Sequence, residues 1–271
     1  MNIAMMLQMA AEVGGDRIAL TCHHRHFSYA ELFRAAKAAA VTFRDSQAEF
    51  VSVLDTSNAA VPVAMMGAAM AGLPYVPINY RLAPDRLNDL IERITPVHLI
   101  VGADALDSFT GRPNITAVDS DTFLETMLDA ADTELSWPED PTAIAVQLFT
   151  SGTTGTPKAA LLRHEHLVSY ILGSVEFASA EEDQATLVSV PPYHIAGISA
   201  LLSSLYATRR IVLLPDFGAA AWLELVKVEK VTNAFVVPTM LSRVIDHLDT
   251  VAHEPDVASL KAIAYGGGKM T

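Results

Sequence analysis

The chain has 271 residues, 51% of them apolar and 18% charged, which is enough to bury a substantial core and too apolar for long disorder. Its formal charge of −13 argues against a nucleic-acid binder and against attachment to an anionic membrane, since both need a clustered basic face. Cys22 is the only cysteine, which excludes an internal disulfide and fits a reducing cytosol.

Met1 to Ala10 is apolar without a basic flank, and Glu12 and Asp16 follow, so it reads as a short amphipathic helix rather than a signal peptide. Ile18 to Cys22 is β-prone. His23, His24 and His26 beside Arg25 then suit a hairpin turn better than a metal tract. A helix is predicted over Tyr29 to Phe43, with Ser28 as N-cap and Glu31 completing a capping box. Phe50 to Leu54 is the next strand. Thr56 to Tyr80 carries no charge and is long enough to cross a bilayer, but Pro62, Pro74, Pro77, Gly67 and Gly72 interrupt it. It reads instead as a buried Ala/Met-rich helix from about Ala59 to Ala71, followed by a strand from Tyr75 to Ile78.

A helix over Pro84 to Ile94 and a strand over His98 to Val101 come next. Ala103 to Asp140 is acidic and broken by prolines, so it is expected to be irregular, with Glu134 to Asp140 leading into a second unit. Beyond it, strands are predicted at Ile144 to Phe149, Leu187 to Val190, Ile211 to Leu214, Ala234 to Val237 and Ala262 to Ala264. Helices are predicted at His164 to Val175, Ile198 to Tyr206, Ala219 to Glu229 and Pro238 to Leu248. The uncharged run Gln184 to Thr208 is no membrane span, because Pro191, Pro192 and His194 break it. This alternation predicts an α/β fold of layered subdomains with largely parallel sheets, one over 1–140 and one over 141–271. No internal repeat stands out.

The densest chemistry lies in Phe149-Thr150-Ser151-Gly152-Thr153-Thr154-Gly155-Thr156-Pro157-Lys158, a loop after an apolar strand. Glycine permits positive φ and close approach to an anion. Successive N–H groups and hydroxyls can surround that anion, and Lys158 adds a mobile positive charge. A polyphosphate is the ligand these parts suit. The Walker A pattern is excluded, because only Thr153 and Thr154 separate the glycines and Ala159 follows the lysine.

This stretch resembles the phosphate-binding motif of adenylate-forming enzymes, the acyl-CoA synthetases, peptide-synthetase adenylation domains and luciferases. Three further stretches agree in the family's order. Pro74-Tyr75-Val76-Pro77-Ile78-Asn79-Tyr80-Arg81-Leu82 resembles a segment of acyl- and aryl-CoA ligases. Pro191-Pro192-Tyr193-His194-Ile195-Ala196-Gly197 resembles the motif bordering the carboxylate, and Tyr265-Gly266-Gly267-Gly268-Lys269-Met270 the opening of the glycine motif.

The resemblance implies two half-reactions: a carboxylate and ATP give an acyl-adenylate and pyrophosphate, and a thiol, usually of coenzyme A, takes the acyl group. It assigns Thr150, Ser151, Gly152, Thr153, Thr154, Gly155 and Lys158 to the β- and γ-phosphates. Tyr193, His194, Gly197, Thr239 and Met240 fall to the acyl and carboxylate pocket, and Gly266, Gly267 and Gly268 to the boundary of adenine and acyl group. Ala159 departs from the family's usual glycine. The 271 residues end at Thr271, just inside the glycine motif. The resemblance puts the family's Tyr-Gly-x-Thr-Glu motif, whose glutamate helps hold Mg²⁺, its ribose-binding aspartate and its catalytic lysine beyond Thr271. No catalytic or metal-binding residue is therefore assigned within them.

The expectation is a cytoplasmic, AMP-forming acyl-CoA ligase, present as its N-terminal portion and inactive alone. ATP, Mg²⁺ and coenzyme A are the co-substrates, and a fatty, alicyclic or aryl carboxylic acid is the substrate. No nucleic acid and no membrane span are expected, and a homodimer stays open. A non-catalytic nucleotide-binding module, or half of a split enzyme, is the rival. Arg163, His164, Glu165 and His166 read as a helix start with a solvated face, since adjacent positions do not converge on a metal.

Overall fold

The computed structural model describes residues 1–150, 157–252 and 255–269. Helix α1 (Ala4–Gly14) precedes the hairpin β1 (Ile18–Cys22) and β2 (Arg25–Ser28). His23 and His24 make the turn with φ of 48° and 64°, and His26 falls inside β2. Helix α2 (Tyr29–Asp45) starts with the expected reciprocal cap: Glu31 N–H donates to Ser28 Oγ at 3.1 Å, and Ser28 N–H to Glu31 Oε2 at 2.7 Å. Strand β3 (Phe50–Leu54), helix α3 (Ala60–Ala71), strand β4 (Tyr75–Pro77), helix α4 (Pro84–Glu92) and strand β5 (Val97–Val101) follow the predicted order. Nearly every side chain of α3 is buried, as a helix apolar on all sides requires. Among the described residues no helix is long and apolar enough to cross a membrane.

The segment expected to be irregular is ordered. It holds a 3₁₀ turn (Ala103–Ser108), strand β6 (Ile115–Asp119) and helix α5 (Ser120–Asp129), before an extended passage to residue 140. Asp119 caps α5 by accepting from Thr122 N–H at 3.0 Å, and Phe123, Leu124 and Met127 form one buried stripe.

The second half supplies β7 (Ile144–Thr150), β8 (Lys158–Arg163), α6 (His164–Ser174), β9 (Ala185–Val188) and α7 (Ile195–Tyr206). Then come β10 (Arg210–Leu213), α8 (Ala219–Val228), β11 (Asn233–Val236), α9 (Pro238–Leu248) and β12 (Ala262–Tyr265).

These strands form two six-stranded sheets, ordered β6-β5-β3-β4-β7-β8 and β12-β11-β9-β10-β1-β2. Each is parallel except at the hairpin closing one edge, β7 with β8 and β1 with β2. The two sheets repeat one connectivity, since β3 to β6 and β9 to β12 both lie in the order fourth, third, first, second. The repeat is topological and left no trace in the sequence. Each sheet also borrows its hairpin from the other side of residue 140. The expected division there therefore does not separate the sheets.

Period-two alternation sends the strands' side chains to two faces. Ile211 and Leu213 of β10 join the central core with α1, α2, α3 and α7, while Val212 and Leu214 pack outward with Trp222 and Val226 of α8. In the other sheet Val51, Val53 and Ile100 face the centre. Val97, Leu99 and Val101 meet Leu90 and Ile91 of α4. A buried helical layer thus separates two sheets, each covered by helices on its outer face.

The tightest contact in that layer is between α2 and α3 at Gly67. A Cβ there would stand 2.7 Å from Ala39 Cβ and 3.1 Å from both the Ala36 carbonyl oxygen and the Phe43 ring. Two helices would have to part to admit a side chain. Gly67→Val is expected to lower unfolding stability by about 2–3 kcal/mol, against the small gain in helix propensity. Urea denaturation reads the effect, and an unchanged midpoint would contradict the close packing.

Candidate nucleotide and acid site

In an open parallel sheet, ligands bind beyond the carboxyl ends of the strands, where neighbouring connections leave in opposite directions. In the sheet containing β9, that place lies between β9, which crosses to β10, and β11, which crosses to β12. The loop after β9 carries Tyr193 and His194, Gly197 lies in the first turn of α7, and Thr239 and Met240 lie in the first turn of α9, after β11. Gly266, Gly267 and Gly268 follow β12 beside them. A Cβ on Gly266 would stand 3.2 Å from the Phe235 ring and one on Gly268 3.6 Å from Pro238, and Gly267 has φ of 78°. Met270 and Thr271, which close the glycine motif, lie outside the described residues. The equivalent place in the other sheet is filled. Asp55, after β3, accepts from Ser120 Oγ at 2.6 Å and from Asn58 Nδ2 at 2.8 Å, and blocks Gly102 after β5.

The loop expected to run from Phe149 to Lys158 is shorter at both ends. β7 continues to Thr150, β8 begins at Lys158, and the two residues are direct cross-strand partners. Ser151, Gly152, Thr153, Thr154 and Gly155 lie outside the described residues. Arg93 braces the ends of β7 and β8, donating to the Pro157 carbonyl at 2.9 Å with its guanidinium 4.8 Å from the centre of the Phe149 ring.

A cavity of about 390 Å³ brings the two sheets' contributions together. Leu148, Phe149, Thr150 and Pro157 line one wall, and Tyr193, His194 and Ile195 the other. Of the predicted site residues, Thr150, Tyr193 and His194 therefore share one space. Lys158, Gly197, Thr239, Met240 and the three glycines do not line it. Gly197 instead packs the first turn of α7 against the Pro191 carbonyl, where a Cβ would come within 3.1 Å.

A clasp that sequence reasoning missed joins the two walls. Tyr80 and Arg81, after β4, donate to Asp216 Oδ1 at 3.0 and 3.1 Å, and Asp216 follows β10. The Tyr80 ring meets Tyr193 edge-on with centroids 5.6 Å apart, and Tyr193 lies 4.7 Å from His194. Burial, helped by the hydrogen bond to Asp216, pushes the Tyr80 hydroxyl up to about 12. Burial also raises Tyr193 and lowers His194, so His194 is a neutral imidazole at pH 7. His194 is the N-cap of α7, whose partial positive end points into this region.

The histidines after β8 diverge. His164 is buried, not solvated, and its Nδ1 accepts from Ile3 N–H at 3.2 Å. His166 lines a second and larger cavity of about 650 Å³ between α6, α7, β11 and β12. Ile195 borders both cavities, so they adjoin at the start of α7. Among the described residues no three His, Cys, Asp or Glu side chains gather as a metal site.

Residues 7–271 match the AMP-binding enzyme family. The chain belongs to that family. It is 28% identical to the 2-succinylbenzoate–CoA ligase of Bacillus licheniformis, over 97% of this chain and 54% of that one. It is 27% identical to the mitochondrial malonate–CoA ligase ACSF3 of Mus musculus, over 90% of this chain and 45% of that one. The chain thus spans about half the length of the curated relatives it matches. Among solved structures, the inhibitor-bound N-terminal domain of FACL13 from Mycobacterium tuberculosis aligns with a TM-score of 0.85 at 22% identity. That match covers all of this chain and 71% of the other. The o-succinylbenzoate coenzyme A synthetase of Bacillus subtilis, in complex with ATP and magnesium ion, aligns with a TM-score of 0.78 at 25% identity, over 97% and 54%. The two parallel sheets are those of the N-terminal domain of adenylate-forming enzymes, and the relatives are acid–thiol ligases.

Proposed function

We propose that this chain forms the ATP- and acid-binding part of a cytoplasmic AMP-forming acyl-CoA ligase. The observation carrying this reading is the single cavity shared by Thr150, at the end of β7, and Tyr193 and His194, before α7. It adjoins a larger cavity with mostly apolar walls at Ile195. A nucleotide triphosphate, entering as its Mg²⁺ complex, would set its β- and γ-phosphates against Thr150, Lys158 and the 151–155 stretch. The acid would lie in the larger cavity with its carboxylate at the Ile195 end.

In the first half-reaction a carboxylate oxygen attacks the α-phosphorus, the new O–P bond forms, and the bond to pyrophosphate breaks. The acid is already ionised at neutral pH, so no general base is needed. His194 borders the carboxylate as a neutral hydrogen-bonding group, and the α7 terminus favours the negative charge gathered there. Thr239, Met240, Gly266, Gly267 and Gly268 line neither cavity, so their assignment to the acyl group and to the boundary with adenine rests on the resemblance alone. Thiol sulfur of coenzyme A then attacks the acyl carbon and AMP leaves.

The test is carboxylate-dependent exchange of labelled pyrophosphate into ATP, over fatty and aryl acids with Mg²⁺. The 271 residues alone are expected to bind MgATP without exchange, because the lysine that resemblance assigns to adenylation is not among them. A chain extended past Thr271 to its relatives' length is expected to exchange. Exchange by the 271 residues would overturn the inactivity, and failure to bind ATP would overturn the whole reading. Binding without exchange at either length would favour a non-catalytic module.

A further inference from the structure

The larger cavity is not apolar throughout. Its wall follows α7 from Ile195 and Ala196, beside the carboxylate position, to Ser203 and Ser204 at the far end, roughly 14 Å along the helix axis. The first part is faced by Phe235 and Ala264, which pair with each other across β11 and β12. The far part is faced by Thr186 and Asn233, which pair with each other across β9 and β11, and by Arg209 just beyond α7.

This far end holds polar groups with nothing to bind. Thr186 Oγ1 and Ser204 Oγ are buried, on residues 7% and 0% exposed, and neither has a hydrogen-bond partner. A buried hydroxyl left unpaired costs stability, so native structures seldom keep two at one place without a use. Arg209 is equally under-employed. Its Nε reaches Gln184 Oε1 at a long 3.4 Å, which orients the guanidinium, and among the described residues no carboxylate pairs with it. Burial lowers the Arg209 pKa. A guanidinium is built for two-pronged recognition of a carboxylate, and hydroxyls beside it add donors.

We infer that Arg209, Thr186 and Ser204 form a distal subsite for a second carboxylate, so that the acid taken here is an extended dicarboxylate and not a plain fatty acid. The inference rests on the placement of the acid proposed above and deepens it. The substrate's reacting carboxylate sits at Ile195, its apolar body runs along α7, and its other carboxylate ends at Arg209. The relatives' names include acids with a second carboxylate, but their short or aromatic bodies do not define the length that this cavity spans.

The probe is a matched pair, dodecanoic and dodecanedioic acid, titrated into the chain with MgATP present and followed calorimetrically. The diacid is expected to bind about tenfold or more tightly, and Arg209→Met to abolish that preference while leaving dodecanoic acid unchanged. Arg209→Lys should restore part of it. The double variant Thr186→Val, Ser204→Ala removes hydroxyls that bond to nothing, so it should fold as well as the parent and still lose preference. Equal affinity for both acids, or a preference indifferent to Arg209→Met, overturns the subsite and leaves the acid-binding cavity standing. Binding of neither acid overturns the subsite, and loss of ATP binding as well removes the proposed function with it.

Discussion

Lys158→Ala will weaken MgATP binding by about 10–100-fold and change AMP binding by less than about threefold. A charge-assisted hydrogen bond contributes about 1.5–3 kcal/mol, which sets that range. The discrimination follows from position. Lys158 opens β8 directly opposite Thr150, beside the 151–155 stretch proposed to hold the β- and γ-phosphates, which AMP lacks. The residue is exposed, and among the described residues it pairs with no carboxylate, so alanine there should leave the fold intact. Calorimetric titration of both nucleotides into both proteins decides the matter. Equal losses for ATP and AMP would remove Lys158 from the terminal phosphates.

A second large effect concerns acid. His98 lies in β5 with its ring 4.9 Å from Phe43, and burial holds its pKa at about 4. His164, also buried, is lowered to about 4, by burial first and then by the nearby N-terminal charge. Both are neutral in the folded chain, whereas in the unfolded chain they take a proton near pH 6.5. The unfolded state therefore binds more protons between about pH 6.5 and 4. Stability is fully present above that window and falls as pH drops through it. The limit is about 3 kcal/mol for each histidine at pH 4. Urea denaturation at steps from pH 7.5 to 4.5 should show the decline, and His98→Phe should remove roughly half of its slope. A slope unchanged in that variant would show that His98 does not carry it.

Much of this fold was legible because local pattern and final structure agree. Ile18–Cys22, Phe50–Leu54 and Pro238–Leu248 have the boundaries read from the sequence, being short apolar runs or a proline-started helix between clear breakers. Helix α5 was hidden by the prolines and acidic residues around it, although Asp119 and the spacing of Phe123, Leu124 and Met127 were visible signals. Strand β8 was missed because four of its first five residues are exposed and it shows no alternation to betray a buried face. Sheet membership had no local signal at all, since β1 finds its parallel partner in β10 and β4 finds one in β7.

The site divides in the same way. The motif around Thr150 and the one around His194 could each be found alone, and their meeting in one cavity gives the pairing physical content. Asp216 had no motif, and its bond to Tyr80 and Arg81 depends on two chain segments meeting across the gap between the sheets. Arg209, Thr186 and Ser204 were passed over for another reason: a serine or threonine draws notice only once burial shows that its hydroxyl lacks a partner.

The exchange of hairpins between the sheets also sets a timetable for synthesis. β1 leaves the ribosome early, but β10, its parallel partner, follows ~190 residues later, a wait of about 10–40 s at ordinary translation speeds. During that interval Leu20 and Phe27, buried in the finished protein, have no sheet to join, and α1 and α2 lack the part of the core that α7 and β10 supply. This segment thus stays uncovered longer than one whose partners are adjacent in sequence, and slower translation would lengthen its exposure.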